Sequence, residues 1–350
     1  MNSYGLAVTS RWRPPGFALQ IGGGLGLLAL LALAALAIGA VPLSVGEVLS
    51  VLTGQAAEPR HEAIVLHLRL PRLLMAALVG AALAMSGAIM QGLFRNPLAD
   101  PFLIGVSAGS SFAAALVIVF GGLLVSAAFM PVLLPVGAFA GGLLVILLVY
   151  RLALVDGQTV VPMLLLAGIA FNAIAMSGTG FMVFVADDNQ LRDISFWTLG
   201  SVGGAQWGNV LPLIPFVATP LLAMRWFAGA LDALNLGECE AQHLGYRVEH
   251  VKRLACLCTA LAVGGAVSVS GTIGFVGLLV PHLVRLLTGP QHHRVLPLSA
   301  IAGACLLIAA DLGARTVVAP AELPIGLITS LIGAPFFISL LLRHRRGFVG

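Results

Sequence analysis

Charge is scarce in this chain: Asp, Glu, Lys and Arg make up 9% of its 350 residues, and lysine occurs once, at Lys252. With only that lysine, preceded by Glu249, His250 and Val251, no G-x-x-x-x-G-K-[ST] phosphate loop exists, so a nucleotide-hydrolysing site of that kind is excluded. H-E-x-x-H and paired carboxylates within one apolar run are missing as well, which removes recognisable parts of a membrane enzyme. Long polar stretches are also lacking. Breaks between apolar runs such as 186–206 and 229–250 are too short for a separate soluble domain, so 1–350 is expected to be one transmembrane domain.

What remains is apolar. Hydrophobic residues make up 59% of the chain and the mean hydropathy is +1.04, more than a water-soluble core needs. A spanning helix takes about 20 residues at roughly 1.5 Å rise each. Runs of that kind fall at 17–41, 66–93, 102–124, 129–152, 161–185, 207–228, 251–271, 273–289, 296–318 and 324–343. The expected fold is therefore all-α with about ten transmembrane helices, the eighth being short. Arg11 and Arg13 precede the first run, but a secretory apolar region spans only about 7 to 15 residues, so that run is expected to be retained.

Lys and Arg favour the cytoplasmic side. With a cytosolic N-terminal tail (1–16) and a cytosolic C-terminus, Arg11, Arg13, Arg95, Arg151, Arg225, Arg247, Lys252, Arg253, Arg285, Arg294, Arg343, Arg345 and Arg346 lie inside. Arg60, Arg69, Arg72, Arg192 and Arg315 are left outside, against the bias. Cys239, Cys256, Cys258 and Cys305 then fall in cytosol or membrane, where disulfides are not expected. Two of them, 256 and 258, do not share a helix face, which argues against a metal pair. The 42 glycines fit close packing of small helix faces. AMSGAIMQGL (84–93) and SVSGTIGFVGL (268–278) echo one another across an odd number of spans; this is either an inverted repeat, common in transporters, or coincidence between Gly-rich helices.

Five runs carry a specific resemblance: LRLPR (68–72), SGAIMQGLFRNPLADPFLIGVSAG (86–109), LNLGECEAQHLG (234–245), GTIGFVGLLVPHLVR (271–285) and ELPIGLITSLIGAPFFISLLLRHR (322–345). In this order they resemble the permease subunits of ABC importers for iron-siderophore, haem and cobalamin. The resemblance implies a homodimer of ten-helix subunits in the bacterial inner membrane with the pathway at the dimer interface. It also implies two cytosolic ATP-binding subunits, which carry ATP and Mg, and a periplasmic binding protein. No cofactor is expected on this chain, and lipid but not nucleic acid is expected as a further partner.

Under that resemblance, 229–250 is the coupling loop that seats on the ATPase. Leu236, Ala241 and Leu244 are the expected apolar anchors, Glu238 lies among them, and Gly237 and Gly245 permit turns. A solvated loop on lipid headgroups is the alternative. In the family's cobalamin importer, arginines matching Arg69, Arg72 and Arg315 receive glutamates of the binding protein, as a planar guanidinium suits. Asp311, four residues before Arg315, offers a local partner instead, and Arg69 and Arg72 alternatively snorkel to lipid phosphate. Arg60 is expected to be solvated.

The outer stretch FVADDNQLRDISFWTLGSVGGAQW (184–207) resembles the haem permeases more than the siderophore or cobalamin ones. Arg192 there suits a haem propionate and Phe196 and Trp197 a porphyrin face, or else the loop merely supports the binding protein. Haem is thus the expected cargo, ferric siderophore the runner-up and cobalamin third. His61 and His67 lie outside, whereas His282, His292, His293 and His344 sit near the inner side as helix-end partners, with His243 and His250 in the coupling region. Asn172 and Ser177, with Thr179, are polar groups within the fifth run; they line the pathway or bond between helices. An ion-driven secondary transporter is the remaining class and would need buried acids, for which Asp311 is the candidate.

Overall fold

A computed structural model of the protein describes residues 16–55, 58–318 and 321–345. The expected tail 1–16 lies outside the described residues but for Gly16, as do the side chains of Arg343, His344, Arg345 and Arg346. The described chain is almost wholly helical. In order, it runs α1 (Phe17–Ala37), α2 (Val45–Leu52), α3 (Pro59–Glu62), a π-helical stretch Ala63–Arg69, and α4 (Leu70–Leu93). A 3-10 turn Pro101–Ile104 precedes α5 (Val106–Leu124), α6 (Met130–Ala153), a hairpin of β1 (Leu154–Val155) and β2 (Gln158–Thr159), and α7 (Val161–Val185). There follow α8 (Asp188–Leu199), α9 (Trp207–Leu236), α10 (Glu238–His243), α11 (Val248–Ser270), α12 (Val276–Thr288), α13 (His292–Thr316) and α14 (Ile325–Arg345).

All ten expected apolar runs are helices: α1, α4, α5, α6, α7, α9, α11, α12, α13 and α14. Eight of the described helices are long and apolar enough to cross a membrane; α12 and the apolar part of α14 are shorter. The 13 residues of α12 rise only about 20 Å. A non-helical segment, 271–275, precedes it, and the end of α8 with the residues after it covers that break: Ser201 N–H donates to the Ser270 carbonyl at 2.8 Å, and the Thr272 hydroxyl donates to the Thr198 carbonyl. Non-helical backbone inside a bundle is tolerated where protein satisfies it.

Small residues set the packing. A Cβ on Gly87 of α4 would fall inside the contact distance of the Gly277 carbonyl of α12, and one on Gly80 inside that of Gly303 on α13. Gly87 and Gly277 belong to the two echoing segments, which therefore meet face to face. Around α4 the core is closed by Met75, Leu83, Met85, Ile89, Leu231, Ile273 and Leu296, all under 2% exposed.

Two boundaries differ most from expectation. The second helix starts earlier, because Pro71 lacks an N–H and the ladder before it widens to π geometry, the Leu70 N–H reaching back to the Val65 carbonyl. The sixth runs on to Leu236 rather than ending near 228, since FAGALDALNL is a good helix sequence. Its 30 residues reach about 45 Å, so the expected coupling loop opens as two further turns of helix. Three prolines, Pro212, Pro215 and Pro220, lie within α9; the Thr219 hydroxyl returns a bond to the Pro215 carbonyl at 2.8 Å.

The bundle thus has two ends. One carries α2, α8 and the outer arginines; the other carries the hairpin and α10.

Candidate functional site

At the hairpin end, α9 stops at Gly237 (φ 141) and α10 at Gly245 (φ 88), conformations that favour glycine. The helix between them turns Ala241 wholly inward, 0% exposed, and leaves Leu236 and Leu244 69% and 61% exposed. The expected trio of anchors is corrected accordingly: Leu236 and Leu244 face outward, whereas Ala241 seats α10 on its own chain. Glu238, 40% exposed at its side chain, reaches toward the bundle. Its carboxylate lies 2.8 Å from Lys252 Nζ.

Lys252 is only 4% exposed. Besides Glu238, its ammonium donates to Glu249 Oε1 at 3.2 Å and to the Thr159 carbonyl at 3.0 Å. Thr159 donates its N–H to the second oxygen of Glu249 at 2.8 Å, and its hydroxyl meets the Tyr150 hydroxyl at 3.1 Å. Sequence reasoning used Lys252 to exclude a phosphate loop and to orient the chain, and missed this cluster. One legible signal was Asp156-Gly157 between apolar runs, a hairpin signature: Asp156 has φ 50 and Gly157 φ 78.

A second polar cluster lies on the same side. Arg285 of α12 donates to Gln91 Oε1, and Gln91 donates to the Gly277 and Leu278 carbonyls at 3.4 and 3.3 Å. Asp232 of α9 accepts from the backbone N–H of His292 at 3.0 Å and meets its Nδ1 at 2.7 Å, capping the start of α13. Asp100, between α4 and α5, accepts from Phe102 N–H at 2.8 Å; burial pushes its carboxyl up to about 6, the Phe102 bond pulling the other way.

At the other end the three expected docking arginines come together, but each is engaged within the chain. Arg69, 7% exposed, donates to the Leu36 and Ala37 carbonyls at 2.5 and 2.9 Å and to that of Val41. It caps the negative end of α1. Arg72 Nε and Nη2 each lie 2.9 Å from Asp311 Oδ1, and Nη1 lies 2.8 Å from Glu322 Oε1. Arg315 donates to the Ala35 carbonyl at 2.6 Å and lies 3.7 Å from Asp311. The acid expected to mark an ion-driven transporter is therefore held between two guanidiniums.

Arg60 is exposed. His61 lies 3.6 Å from Glu47 and 3.8 Å from Glu58; His67 is exposed. Asp187 caps α8 through Asn189 and Gln190 N–H, both at 2.9 Å. Along α8, Ile194 is buried and Phe196 is 56% exposed. Arg192 is exposed and makes no hydrogen bond or ion pair among the described residues. Phe196, Trp197 and Asp193 line an open cavity of about 510 Å³ whose other wall is Met130, Leu134 and Gly271. Of the expected pathway residues, Asn172 is half-buried and donates to the Phe102 carbonyl at 3.2 Å, so it bonds between elements, while Ser177 is exposed. Cys239 is an exposed free thiol and the other three cysteines are buried free thiols.

Residues 27–343 match the model of the FecCD transport family. The hemin transport system permease protein HmuU of Yersinia pestis is 44% identical, over 93% of this chain and 96% of that protein. The vitamin B12 import system permease protein BtuC of Vibrio parahaemolyticus is 39% identical, over 91% and 92%. A solved structure described as a metal-chelate type ABC transporter in an inward-facing conformation superposes with a TM-score of 0.80 at 32% identity, covering 93% of this chain and 99% of that one.

Proposed function

The chain belongs to the FecCD transport family and is an ABC importer permease, a multi-pass membrane subunit and not itself an enzyme; from that premise we propose that its cargo is haem, moved from periplasm to cytosol across a bacterial inner membrane. Two copies of the chain form the pathway between them, with both termini in the cytosol. Two separate ATP-binding subunits, holding ATP and Mg, seat on the hairpin end, and a periplasmic binding protein delivers haem to the other end.

The observation that carries the cargo reading is α8. Arg192 is an exposed guanidinium without a partner among the described residues, and Phe196, four residues on, shares its face of the helix. With Trp197 it edges the 510 Å³ cavity. An anionic side arm on a flat aromatic macrocycle matches a free cation beside aromatic rings. The 44% identity to a hemin permease supports the same cargo. Siderophore and cobalamin remain the second reading, favoured by the likeness to a metal-chelate transporter and to a vitamin B12 permease.

Seating on the ATPase is carried by Leu236 and Leu244 around the turns at Gly237 and Gly245, with Ala241 and Glu238 holding α10 from behind. Docking of the binding protein engages Arg72 by exchange: an incoming carboxylate replaces Glu322, 47% exposed at its side chain, while Arg69 and Arg315 keep the site in shape. Asn172 and Ser177 of α7 stand along the pathway.

The test is uptake into proteoliposomes containing the permease with its own ATPase subunit and binding protein. ATP-dependent accumulation of haem, weakened by Arg192→Ala, is expected; accumulation of a ferric siderophore or cobalamin with haem ignored would overturn the cargo reading.

A further inference from the structure

We propose that Lys252 is a positioning residue for transport, the clasp that passes movement of α10 to the β1–β2 hairpin and through it to α7. This rests on the reading above, in which α10 seats on the ATPase. It adds the route by which a push on a six-residue helix reaches a membrane-spanning one.

A lysine ammonium has three donors pointing in three directions, and here each has its own acceptor on a different element. Glu238 belongs to α10, Glu249 to the start of α11, and the Thr159 carbonyl to β2, at 2.8, 3.2 and 3.0 Å. Nothing polar on the ammonium is left over, and the side chain is only 5% exposed. Charge-assisted bonds of this length weaken steeply with small displacements, so α10 and β2 move together or the buried charge loses acceptors.

The hairpin end of the route is equally tight. Thr159 is 3% exposed and is held by three separate groups: Lys252 at its carbonyl, Glu249 at its N–H and Tyr150 at its hydroxyl. Val160 follows, and α7 begins at Val161. That helix is mostly exposed in the single chain, with Leu166, Ile174, Met176 and Phe184 all over 60%, so little of its surface is locked into the subunit. It nevertheless has one close tie to the 3-10 turn before α5. Gly168 sits against the Leu103 carbonyl and Asn172 bonds the Phe102 carbonyl. A displacement of α10 thus has a continuous polar and packed path into α7 and on to residues 100–104.

A purely structural lysine would lower stability and leave the path intact. Hydrogen exchange read with and without ATP separates the two roles in the assembled complex of permease, ATPase and binding protein in lipid. In the wild type, ATP is expected to change exchange both at 238–244 and at 154–161. In Lys252→Met the change at 238–244 should persist while that at 154–161 is lost, and cargo taken up per ATP hydrolysed should fall about tenfold, the worth of one lost charged hydrogen bond. Lys252→Arg, which keeps the charge, should restore part of both.

Glu238→Ala leaves the lysine two acceptors, Glu249 and the Thr159 carbonyl, and should assemble even if Lys252→Met does not; it is expected to give the same separation of the two segments. An unchanged ATP response at 154–161 in either variant, with normal uptake per ATP, would overturn the clasp while leaving the importer reading untouched. No ATP-driven uptake by the wild-type complex would overturn both.

Discussion

Replacing Arg72 by methionine tests the internal ion network most directly. The guanidinium makes two 2.9 Å contacts to Asp311, whose side chain is 4% exposed, and one of 2.8 Å to Glu322. Removing one partner of a buried pair costs about 3–5 kcal/mol, mostly because the other charge is left stranded. Arg315 remains 3.7 Å from Asp311 and supplies partial compensation, so the lower end, about 3 kcal/mol, is expected. Asp311→Leu alone should cost less, because Arg72 keeps Glu322 at the rim. The double variant should recover most of the loss, since an apolar pair of similar volume is often neutral against a buried ion pair. Equilibrium unfolding in mixed micelles, followed by loss of helical circular dichroism, measures all three. Single losses below about 1 kcal/mol that simply add in the double variant would show that the two groups are not coupled and refute the reasoning.

Four further outcomes follow from other parts of the molecule. Gly87→Ala places a methyl against the Gly277 carbonyl and should destabilise by about 1–3 kcal/mol, whereas Gly22→Ala, with nothing within 4 Å, should be neutral in the same unfolding assay. Leu244→Arg should leave helix content and thermal midpoint unchanged, because the side chain is 61% exposed, yet reduce co-purification of the ATPase subunit; full recovery of that subunit would count against the docking face. Glu322→Gln should tighten binding of the periplasmic protein by about tenfold at low salt, since it removes the internal competitor for Arg72, and an unaltered dissociation constant by surface plasmon resonance would argue against exchange. Asp100 titrates near 6 in the fold against 3.8 ordinarily, so the folded state holds the extra proton; stability should fall as pH rises from about 4 to 6 and stay level above, and Asp100→Asn should flatten that slope in unfolding measured across pH.

The ten apolar runs were legible because the signal is composition over about 20 residues, which no tertiary contact overrides. The register of α10 was not. Six residues contain too few turns for a period to show which face is inward, so Ala241 passed for an anchor beside Leu236 and Leu244. Lys252 was conspicuous as the single lysine, but its partners lie 3, 14 and 93 residues away, and one of them is a backbone carbonyl that any residue type would supply. Asp156-Gly157, by contrast, announced its turn locally.

The outer arginines show where a sequence argument and a structural one part company. Five cations against the positive-inside bias needed a cause, and docking of a partner was the cause that the resemblance suggested for three of them. In the fold, Arg69 has its cause in the carbonyls ending α1, and Arg315 and Arg72 have theirs in Ala35, Asp311 and Glu322. Their presence is therefore explained before any partner arrives, and a docking role must be additional to a structural one. Arg192 is different: it is exposed and has no partner among the described residues, while one residue further along α8, Asp193 edges a cavity with two aromatic rings. Arg60 and Arg192 are thus the two of the five that lack a partner among the described residues, and of these Arg192, on the helix whose Phe196 and Trp197 edge the cavity, is the one that an external ligand explains best.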